Sequence, residues 1–361
     1  MNEQLLQYEE KVIFNLRELY SKHGYLPYRM SKFEEYEFYI RNKEFMVSDR
    51  VIAFNDTNGK MMALKPDVTL SIIKSGEDIP GVKQKVYYNE NVYRVSKSTH
   101  RFKEIMQAGL ECIGDTDLFD IYEVIALAAE SLAVLQKSFV LTVSHLGILT
   151  AVTASLCADS RFQKQALAFI SEKNEHDLKA LCEQYGVNDD GYGRLCRLIH
   201  AYGERRSVLK MLESLCSDEQ LDEVRQLSTL LEASPYSDNI QFDFSLVGDS
   251  SYYNGFIFKG FLYGIANDVL SGGQYDGMMK KIRRRSRAIG FALYLDMLEH
   301  LAPSRRETDV DVLLLYDETV PFAAVAAKTA ELIAAGHTCS AQKAQPEKLR
   351  YRQIIDMRKE G

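Results

Sequence analysis

The sequence lacks any hydrophobic run long enough to cross a membrane. Among its 361 residues there is no stretch of about 18 consecutive apolar residues. The N-terminus, MNEQLLQYEEK, is acidic and polar rather than a basic region followed by an apolar core. We therefore expect a cytoplasmic protein without membrane contact. Apolar residues make up 46% of the chain, enough for the core of one large domain or of several smaller ones.

The sequence also lacks the common motifs of metal sites and nucleophiles. Its six cysteines form no C-x-x-C pair, and none lies near histidines at the spacing of metal ligands. It contains no Gly-rich phosphate loop, H-E-x-x-H or G-x-S-x-G segment. We expect reduced, mostly buried thiols and neither a metal nor a cofactor. Motifs alone indicate no reaction.

The sequence also lacks an excess of positive charge, with 44 Lys and Arg against 51 Asp and Glu. The net charge of −7 argues against a surface made for nucleic acid, because phosphate binding relies on basic residues. The exception is the basic segment KKIRRRSR (Lys280–Arg287), which has six cations in eight residues. A solvated loop is the usual interpretation of such a run. The alternative is a surface that meets phosphates or an acidic partner.

Local patterns in the first part of the chain predict a helix followed by a hairpin. Apolar residues recur at helical spacing over residues 3–23, and Gly24 ends this pattern. An extended segment follows. Ile52–Asp56 and Met61–Lys65 are then predicted as two strands joined by a tight turn at Asn58-Gly59.

The middle of the chain is predicted to change from strands to helices. Residues 84–113 contain a second strand pair, and a helix with Asp117 or Asp120 near its start follows. After the strand FVLTVSHL, residues 147–235 are rich in Leu, Ala, Glu and Lys at helical spacing. We predict that residues 147–235 form an all-α insertion.

Strand patterns return over residues 240–300. Asn254-Gly255 within SYYNGFIFKGF is typical of a tight hairpin turn. We interpret SGGQYDG as a glycine turn and IGFALYLDMLEHLA as a final helix, which completes a first domain over residues 1–302.

The remaining residues, 308–361, are predicted to form a small α/β domain after a linker at Pro303. Their pattern is β-α-β, and we interpret KLRYRQIIDMRKE as another helix. Such a unit would be expected to continue with a further strand. The sequence therefore leaves open whether the C-terminal domain is truncated.

The order of several short motifs resembles that of class II histidyl-tRNA synthetases over nearly the whole chain. These motifs are LKPDVT, MQAGLECIG, YYNGFIF, GGQYDG and GFALYLDML. The chain is more similar to the noncatalytic branch of this family, the regulatory subunits of ATP phosphoribosyltransferase. The resemblance implies an α+β fold with a class II synthetase-like antiparallel sheet flanked by helices, the all-α insertion and the small C-terminal domain.

The resemblance also implies a histidine pocket. Free histidine needs a carboxylate and neutral acceptors for its ammonium group, and a carboxylate or hydroxyl that fixes its imidazole tautomer. The family pattern places the ammonium contacts at Asp67, Thr69 and Gln107, and the imidazole contacts at Glu111 and Tyr253.

The same pattern brings backbone close to the ligand at the glycine turn, which contains Gly272, Gly273 and Tyr275. Other interpretations of the pocket residues remain open. Asp67 could serve only as a helix cap, and Tyr253 could be ordinary sheet packing. Gln107 and Glu111 lie four positions apart, so in a strand they share a face, which could be merely solvated.

Three positions that carry catalytic arginines in the synthetases have other residues here. They are Tyr88, Gly248 and Met297, and Tyr294 replaces the glycine of motif 3. Arg94 and Arg101 lie near these positions but do not align with them. Fixed arginines stabilise the charge that develops on the α-phosphate, and loss of one such donor typically costs about 10²–10³ in rate. We therefore expect no catalytic residues. Ser31 replaces the motif 1 proline, which leaves the dimer interface in question.

Together these features predict a regulatory subunit that binds histidine and controls a partner. The resemblance implies that this partner is a short-form catalytic subunit, which condenses ATP with phosphoribosyl pyrophosphate at the first step of histidine biosynthesis. It also implies a homodimer within a hetero-oligomer, allosteric feedback and no productive tRNA binding. Two alternatives remain: a divergent but active histidyl-tRNA synthetase, and a scaffold whose pocket binds nothing.

Overall fold

The computed structural model describes residues 7–43, 51–76, 79–95, 100–248, 252–296 and 308–359. The chain divides into two compact units, a large one over Met1–Leu301 and a small one over Ala302–Gly361. None of the described helices is both long and apolar enough to cross a membrane.

The helices of the large unit are α1 (Tyr8–Lys22), α2 (Tyr36–Arg41), α3 (Thr69–Ser75), α4 (Leu118–Leu135), α5 (Leu146–Leu156), α6 (Ser160–Ser171), α7 (Glu175–Gln184), α8 (Asp189–His200), α9 (Arg205–Leu212), α10 (Asp218–Leu231) and α11 (Asp276–Lys281). Its strands are β1 (Leu26–Pro27), β2 (Phe33–Glu35), β3 (Ala53–Asn55), β4 (Met61–Leu64), β5 (Lys83–Val95), β6 (Phe102–Gly114), β7 (Phe139–His145), β8 (Tyr202–Gly203), β9 (Ile240–Asp243), β10 (Phe256–Leu262), β11 (Leu270–Gln274) and β12 (Arg287–Tyr294).

A nine-stranded sheet organises the large unit. Its strand order is β1-β5-β6-β12-β11-β10-β7-β9-β8. Most neighbouring strands are antiparallel, and the pairs β1–β5 and β7–β9 are parallel. A small second sheet has the order β2-β4-β3. The predicted α+β class, a largely antiparallel sheet flanked by helices, is confirmed.

One face of the large sheet forms the main core with α1 and α4. Alternate strand residues such as Leu110, Phe258 and Phe291 are buried there against helix residues such as Leu16 and Leu127. Burial of these side chains provides most of the driving force for folding of this layer. Asp117 caps α4 by accepting hydrogen bonds from the first-turn backbone N–H groups of Phe119 and Asp120, and it is one of the two aspartates predicted near the start of this helix.

The insertion that was predicted as all-α contains α5 to α10 but also the two-residue strand β8, so it is mainly rather than entirely helical. Its helices are amphipathic and bury their leucine-rich faces in the main core. Within this region the two-residue strand β8 pairs with β9 at the edge of the large sheet.

Two of the early predictions are also confirmed. β3 and β4 form the expected hairpin, in which Gly59 has a positive φ of 80°. Helix α1 ends at Lys22, and Gly24 follows with φ of 78°. The first residues of the predicted helix, 3–6, lie outside the described part.

Three predictions for residues 252–300 are wrong. Residues Arg287–Tyr294 form the central strand β12, not a helix; both faces of this strand are buried, and a continuous apolar run does not distinguish the two structures. Residues 297–302 of the predicted helix lie outside the described residues. Asn254-Gly255 is not a hairpin turn, because the β10–β11 hairpin closes through residues 263–269. SGGQYDG is not a turn but the end of β11 followed by the start of α11.

The small unit contains β13 (Val310–Leu315), α12 (Phe322–Ala334), β14 (Cys339–Gln342) and β15 (Tyr351–Asp356). Its strands form a parallel sheet in the order β14-β13-β15, which confirms the β-α-β pattern. The helix predicted for KLRYRQIIDMRKE is wrong, because Tyr351–Asp356 pairs with β13. The backbone hydrogen bonds between β13 and β15 stabilise a strand here, although the spacing of apolar residues in this polar segment is typical of a helix.

Candidate functional site

The second face of the large sheet, here called the polar face, is formed by the other set of alternating residues. On β6, Gln107 and Glu111 point to this face, and Ala108 and Leu110 point into the main core. Both polar side chains are only 2% exposed. Buried polar groups of this kind require partners, so the polar face is a candidate site.

Three glycines make the floor of the polar face flat. Gly109 on β6, Gly290 on β12 and Gly273 on β11 lie on adjacent strands. A Cβ atom would lie 2.5 Å from the hydroxyl of Tyr88 at Gly109, 1.8 Å from Oε2 of Glu111 at Gly290, and 2.8 Å from the ring of Tyr253 at Gly273. Only glycine permits this close approach of side chains to the sheet. Gly272 faces the opposite side, next to Phe258 and Phe291.

Glu111 is the centre of a buried hydrogen-bond group. The hydroxyl of Thr69 donates to Oε1 over 2.6 Å, and the hydroxyl of Tyr275 donates to Oε2 over 2.6 Å. Burial raises the pKa of Glu111 to about 8, whereas the two hydroxyls act in the opposite direction. The structure therefore brings together three residues that the sequence predicted for one pocket.

Two short helices cover Glu111. Thr69 is the first residue of α3, and Tyr275 immediately precedes α11. Apolar residues of both helices pack with the edge of the polar face in a second, smaller core. This core consists of Val68, Leu70, Ile72, Ile73, Val86, Tyr88, Val92, Ile113, Tyr275, Met278, Met279 and Ala288. The packing fixes the positions of the Glu111 donors.

Asp67 lies buried beside α3. Its Oδ1 accepts a hydrogen bond from the backbone N–H of Leu70 over 3.0 Å. Burial raises the pKa of Asp67, and the hydrogen bond from Leu70 and the charge of Arg94 lower it. Asp67 thus makes the cap-like contact that the sequence allowed, although Val68 is the residue that directly precedes the helix.

Gln107 has a polar group without a partner in the described part of the structure. Its Nε2 is buried and makes no hydrogen bond there. In the sheet it lies between Glu90 of β5 and Tyr294 of β12. An unsatisfied buried amide costs about 1–3 kcal/mol, which a ligand with an acceptor group would recover.

The tyrosine pair closes one side of the polar face. The ring of Tyr253 contacts Gly273 and lies close to Gly248. Tyr252 packs edge to face on Tyr253 at 4.6 Å between ring centroids and lies 5.8 Å from the ring of Tyr275. Burial and the nearby carboxylates raise the pKa of Tyr252, and a hydrogen bond with Thr69 opposes this.

Tyr252 and Lys65 are residues of this face that the sequence interpretation missed. Lys65 is fully buried, and its Nζ pairs with Oε2 of Glu90 at 2.5 Å. The adjacent aromatic pair was a signal for Tyr252. For Lys65 the only signal was its place at the end of the predicted hairpin, because its partner is distant in sequence.

Aromatic side chains occupy two of the positions at which the synthetase pattern differs. The Tyr88 ring lies over Gly109, and its hydroxyl donates to the carbonyl of Phe291 over 3.4 Å. The Tyr294 hydroxyl shares a hydrogen bond of 2.7 Å with Oγ of Ser271. Met297 lies outside the described residues.

Neither Arg94 nor Arg101 provides a guanidinium group at the glycine floor of the polar face. Nε of Arg94 donates to the carbonyl of Pro66 over 2.9 Å, so this guanidinium is held by backbone. Arg101 is exposed, in contrast with the buried floor. At Gly248 a Cβ atom would lie 3.2 Å from the Tyr253 ring, so a longer side chain there would require Tyr253 to shift.

The polar face therefore presents groups that would suit a small molecule with several polar groups. It offers carboxyl groups, hydroxyls and an unpaired amide in a buried setting. Among the residues that the structure describes, no group of three or more His, Cys, Asp or Glu side chains could hold a metal ion.

Comparison with known proteins identifies the family. The model of the family described as histidyl-tRNA synthetase matches residues 1–298. The chain therefore belongs to the histidyl-tRNA synthetase family.

Curated relatives are named ATP phosphoribosyltransferase regulatory subunit. That of Oceanobacillus iheyensis is 25% identical over 315 residues, which cover 84% of this chain and 77% of the relative. That of a Geobacillus species is 28% identical over 284 residues, which cover 76% of this chain and 72% of the relative.

Two solved structures share the fold. An ATP phosphoribosyltransferase regulatory subunit/histidyl-tRNA synthetase from Bacillus halodurans has a TM-score of 0.79 at 23% identity and covers 96% of this chain and 93% of its own. A chain of the ATP phosphoribosyl transferase (HisG:HisZ) complex from Thermotoga maritima has a TM-score of 0.63 at 19% identity. The match covers 82% of this chain and 98% of the Thermotoga maritima chain.

Proposed function

We propose that this member of the histidyl-tRNA synthetase family is a noncatalytic regulatory subunit of ATP phosphoribosyltransferase and that it binds histidine on the polar face. The names of the curated relatives support the regulatory assignment. The partner is a short-form catalytic subunit that condenses ATP with phosphoribosyl pyrophosphate. The similarity to a chain of an ATP phosphoribosyl transferase complex supports such an assembly.

The observation that carries the ligand assignment is the buried group of Glu111, Thr69 and Tyr275. A carboxyl whose pKa is about 8 is mostly protonated at neutral pH, because the cost of burying its charge exceeds the stabilisation by the two hydroxyls. An imidazole has a pKa near 6.5 and can donate an N–H or take up the proton. Binding would therefore place an N–H···carboxylate hydrogen bond at Glu111.

The remaining polar groups suit the other end of free histidine. Asp67 supplies a carboxyl group for the α-ammonium group; burial strengthens the attraction between the two charges and also adds a desolvation cost. Nε2 of Gln107 is a donor for the carboxylate of the ligand. Tyr252 and Tyr253 form an aromatic wall next to the imidazole position.

The same face is poorly suited to activating an amino acid with ATP. Adenylate formation needs fixed cationic donors at the α-phosphate. Tyr88 and Tyr294 are neutral, and Arg94 is engaged with the carbonyl of Pro66. The pocket can thus recognise histidine without activating it.

Regulation requires that histidine bind two states of the complex unequally. A ligand with equal affinity for both states shifts nothing. A coupling free energy of about 1–3 kcal/mol, or roughly 5–150-fold in affinity, suffices for feedback. We propose that the subunit acts as a homodimer within the hetero-oligomer.

Calorimetry with histidine tests the ligand. We expect saturable binding to the purified chain, with or without the catalytic subunit, and strongly weakened binding to Glu111→Gln. Absence of heat at millimolar histidine under both conditions would favour a scaffold with an empty pocket.

Two further measurements test the regulatory role. The chain should co-purify with a catalytic subunit of about 200 residues, the size of one or two small domains. It should also show no histidine-dependent exchange between pyrophosphate and ATP. Clear exchange activity would establish the alternative, an active histidyl-tRNA synthetase.

A further inference from the structure

The two donors of Glu111 come from two helices that also meet at their other ends. At the first ends, Thr69 of α3 and Tyr275 before α11 donate to opposite oxygens of Glu111. Glu111 therefore links the N-terminal ends of α3 and α11.

Packing between these helices leaves some space. Ile73 of α3 and Met278 and Met279 of α11 belong to the same small core. A cavity of about 210 Å³ lies beside this contact and is lined by Phe38, Asn42, Leu70, Ile73, Lys74, Ile282 and Arg284. The cavity separates part of α3 from Ile282 and Arg284, so polar contacts there add to the apolar packing that holds α3 near α11.

Arg284 closes the gap at the C-terminal ends. Nη1 donates to the carbonyl of Gly76 over 2.6 Å, and Nη2 donates to the carbonyl of Ile73 over 2.9 Å. Both carbonyls belong to the C-terminal end of α3, where a helix favours positive charge. A guanidinium suits this position because its planar fork can donate to two acceptors at once.

The backbone after α11 directs Arg284 towards α3. Arg283 has a left-handed conformation with φ of 64°, which a non-glycine residue adopts only at some cost. Its N–H donates to the carbonyl of Lys280 over 3.0 Å, and that of Arg284 donates to Met279 over 2.8 Å. This pair of bonds is the Schellman arrangement that ends many helices.

We infer that Arg284 is a positioning residue that holds α3 and α11 as one unit and so couples occupancy of the Glu111 site to the basic segment Lys280–Arg287. Loss of this link would free α3 to move relative to Tyr275 and would loosen the two donors of Glu111. When a ligand takes over part of the Glu111 hydrogen bonding, the displacement of α3 passes through Arg284 to the basic segment. The inference rests on the proposed function, because it takes histidine as the ligand.

With this assignment the basic segment is a structural connection between the two helices rather than a solvated loop. Arg284 binds α3, and Arg287 donates to Oδ2 of Asp276 over 3.1 Å and to the carbonyl of Thr116 over 3.3 Å. Lys280 and Arg283 are exposed. The segment therefore combines internal anchors with an outward surface that can report the state of the pocket.

A matched set of variants in the full chain tests the link. Arg284→Gln removes the charged fork, and Arg283→Gln removes the same charge at the neighbouring exposed position. Arg284→Lys keeps the charge but not the fork. Histidine affinity is measured by calorimetry, and backbone hydrogen exchange is followed with and without histidine.

We expect Arg284→Gln to weaken histidine binding roughly tenfold, within the usual range of coupling between sites. Histidine should slow exchange in residues 280–287 of the wild type and Arg283→Gln, but not of Arg284→Gln, and Arg284→Lys should restore part of both effects. Wild-type affinity together with an unchanged exchange response in Arg284→Gln would overturn the inference.

Failure of the proposed function gives a different result. If the wild type binds no histidine, the proposed ligand is wrong. The link between α3 and α11 through Arg284 is then tested by hydrogen exchange in the absence of ligand. Faster exchange of α3 amides in Arg284→Gln than in Arg283→Gln would then support the link. Equal exchange would refute it.

Discussion

The two faces of the nine-stranded sheet are formed by alternate residues of the same strands, yet they differ in what covers them. Leu110 is buried against α1 and α4 in a large apolar core, whereas its neighbour Glu111 is buried under two short helices among hydroxyls. The first face contributes stability through apolar burial. The second face holds a carboxyl at the cost of desolvation, a feature that is common at functional sites and supports the proposed binding role.

The comparison predicts the largest loss of stability on the apolar face. Leu110→Ala should lower the free energy of unfolding by about 3–4 kcal/mol, because it leaves a cavity in a fully buried core. Urea unfolding would measure this loss. Histidine affinity of the folded fraction should stay within about twofold of wild type, because the Leu110 side chain points into the main core and away from the polar face. A larger loss of affinity would show that the faces are not independent.

The converse change on the polar face should act on binding. Glu111→Gln should weaken histidine binding about 100-fold, or about 2.7 kcal/mol, because a neutral amide cannot pair with an imidazolium. Calorimetry measures this, and circular dichroism should show an intact fold. Unchanged affinity and unchanged feedback inhibition would refute the role of Glu111.

Stability should also depend on pH through the polar face. The pKa of Glu111 is raised from the usual 4.5 to about 8, so over this window the folded protein keeps a proton that the unfolded chain has released. The free energy of unfolding should therefore decrease as pH rises, by about 2 kcal/mol between pH 5.5 and 7.5. Asp67, whose pKa is also raised, acts in the same direction.

Glu111→Gln is the control for this pH dependence. The variant cannot titrate at this position, so its free energy of unfolding should change less over the same pH range. The change that remains is due to other titrating groups. Urea titrations at several pH values would compare the two proteins. Equal slopes would show that Glu111 is not the group responsible.

The smallest expected effect concerns the aromatic wall. Tyr253→Phe should weaken histidine binding by about fivefold, or about 1 kcal/mol, as expected for loss of one neutral hydrogen bond. Tyr252→Phe provides a matched comparison, because Tyr252 hydrogen-bonds to Thr69 instead. A larger loss of histidine affinity in Tyr252→Phe than in Tyr253→Phe would show that Tyr252, not Tyr253, donates the hydrogen bond to the ligand.

Local chemistry accounts for the parts of the fold that were predictable. The turn at Asn58-Gly59 and the cap at Asp117 depend on residues within a few positions, and both are observed. Residues 289–294 and Tyr351–Asp356 were predicted as parts of helices, because their strand structure depends on pairing with distant strands. Spacing within a segment does not record such partners.

The site was predictable in part for the same reason. Strand alternation placed Gln107 and Glu111 on one face, as observed. The contacts of Glu111 join residues separated by 42 and 164 positions, so only the family resemblance suggested them. No resemblance or pattern indicated Arg284, because its partners are the carbonyls of a helix more than 200 positions earlier.

The three glycines of the floor restrict how the specificity of this pocket could be redesigned. A Cβ atom would lie 2.2, 2.5 and 2.7 Å from backbone oxygens at Gly109, Gly290 and Gly273, respectively. Backbone atoms at the centre of a sheet cannot move aside, so these positions tolerate no larger residue. Libraries that aim at another amino acid should vary the side walls at Thr69, Tyr252 and Tyr275 and keep the floor unchanged.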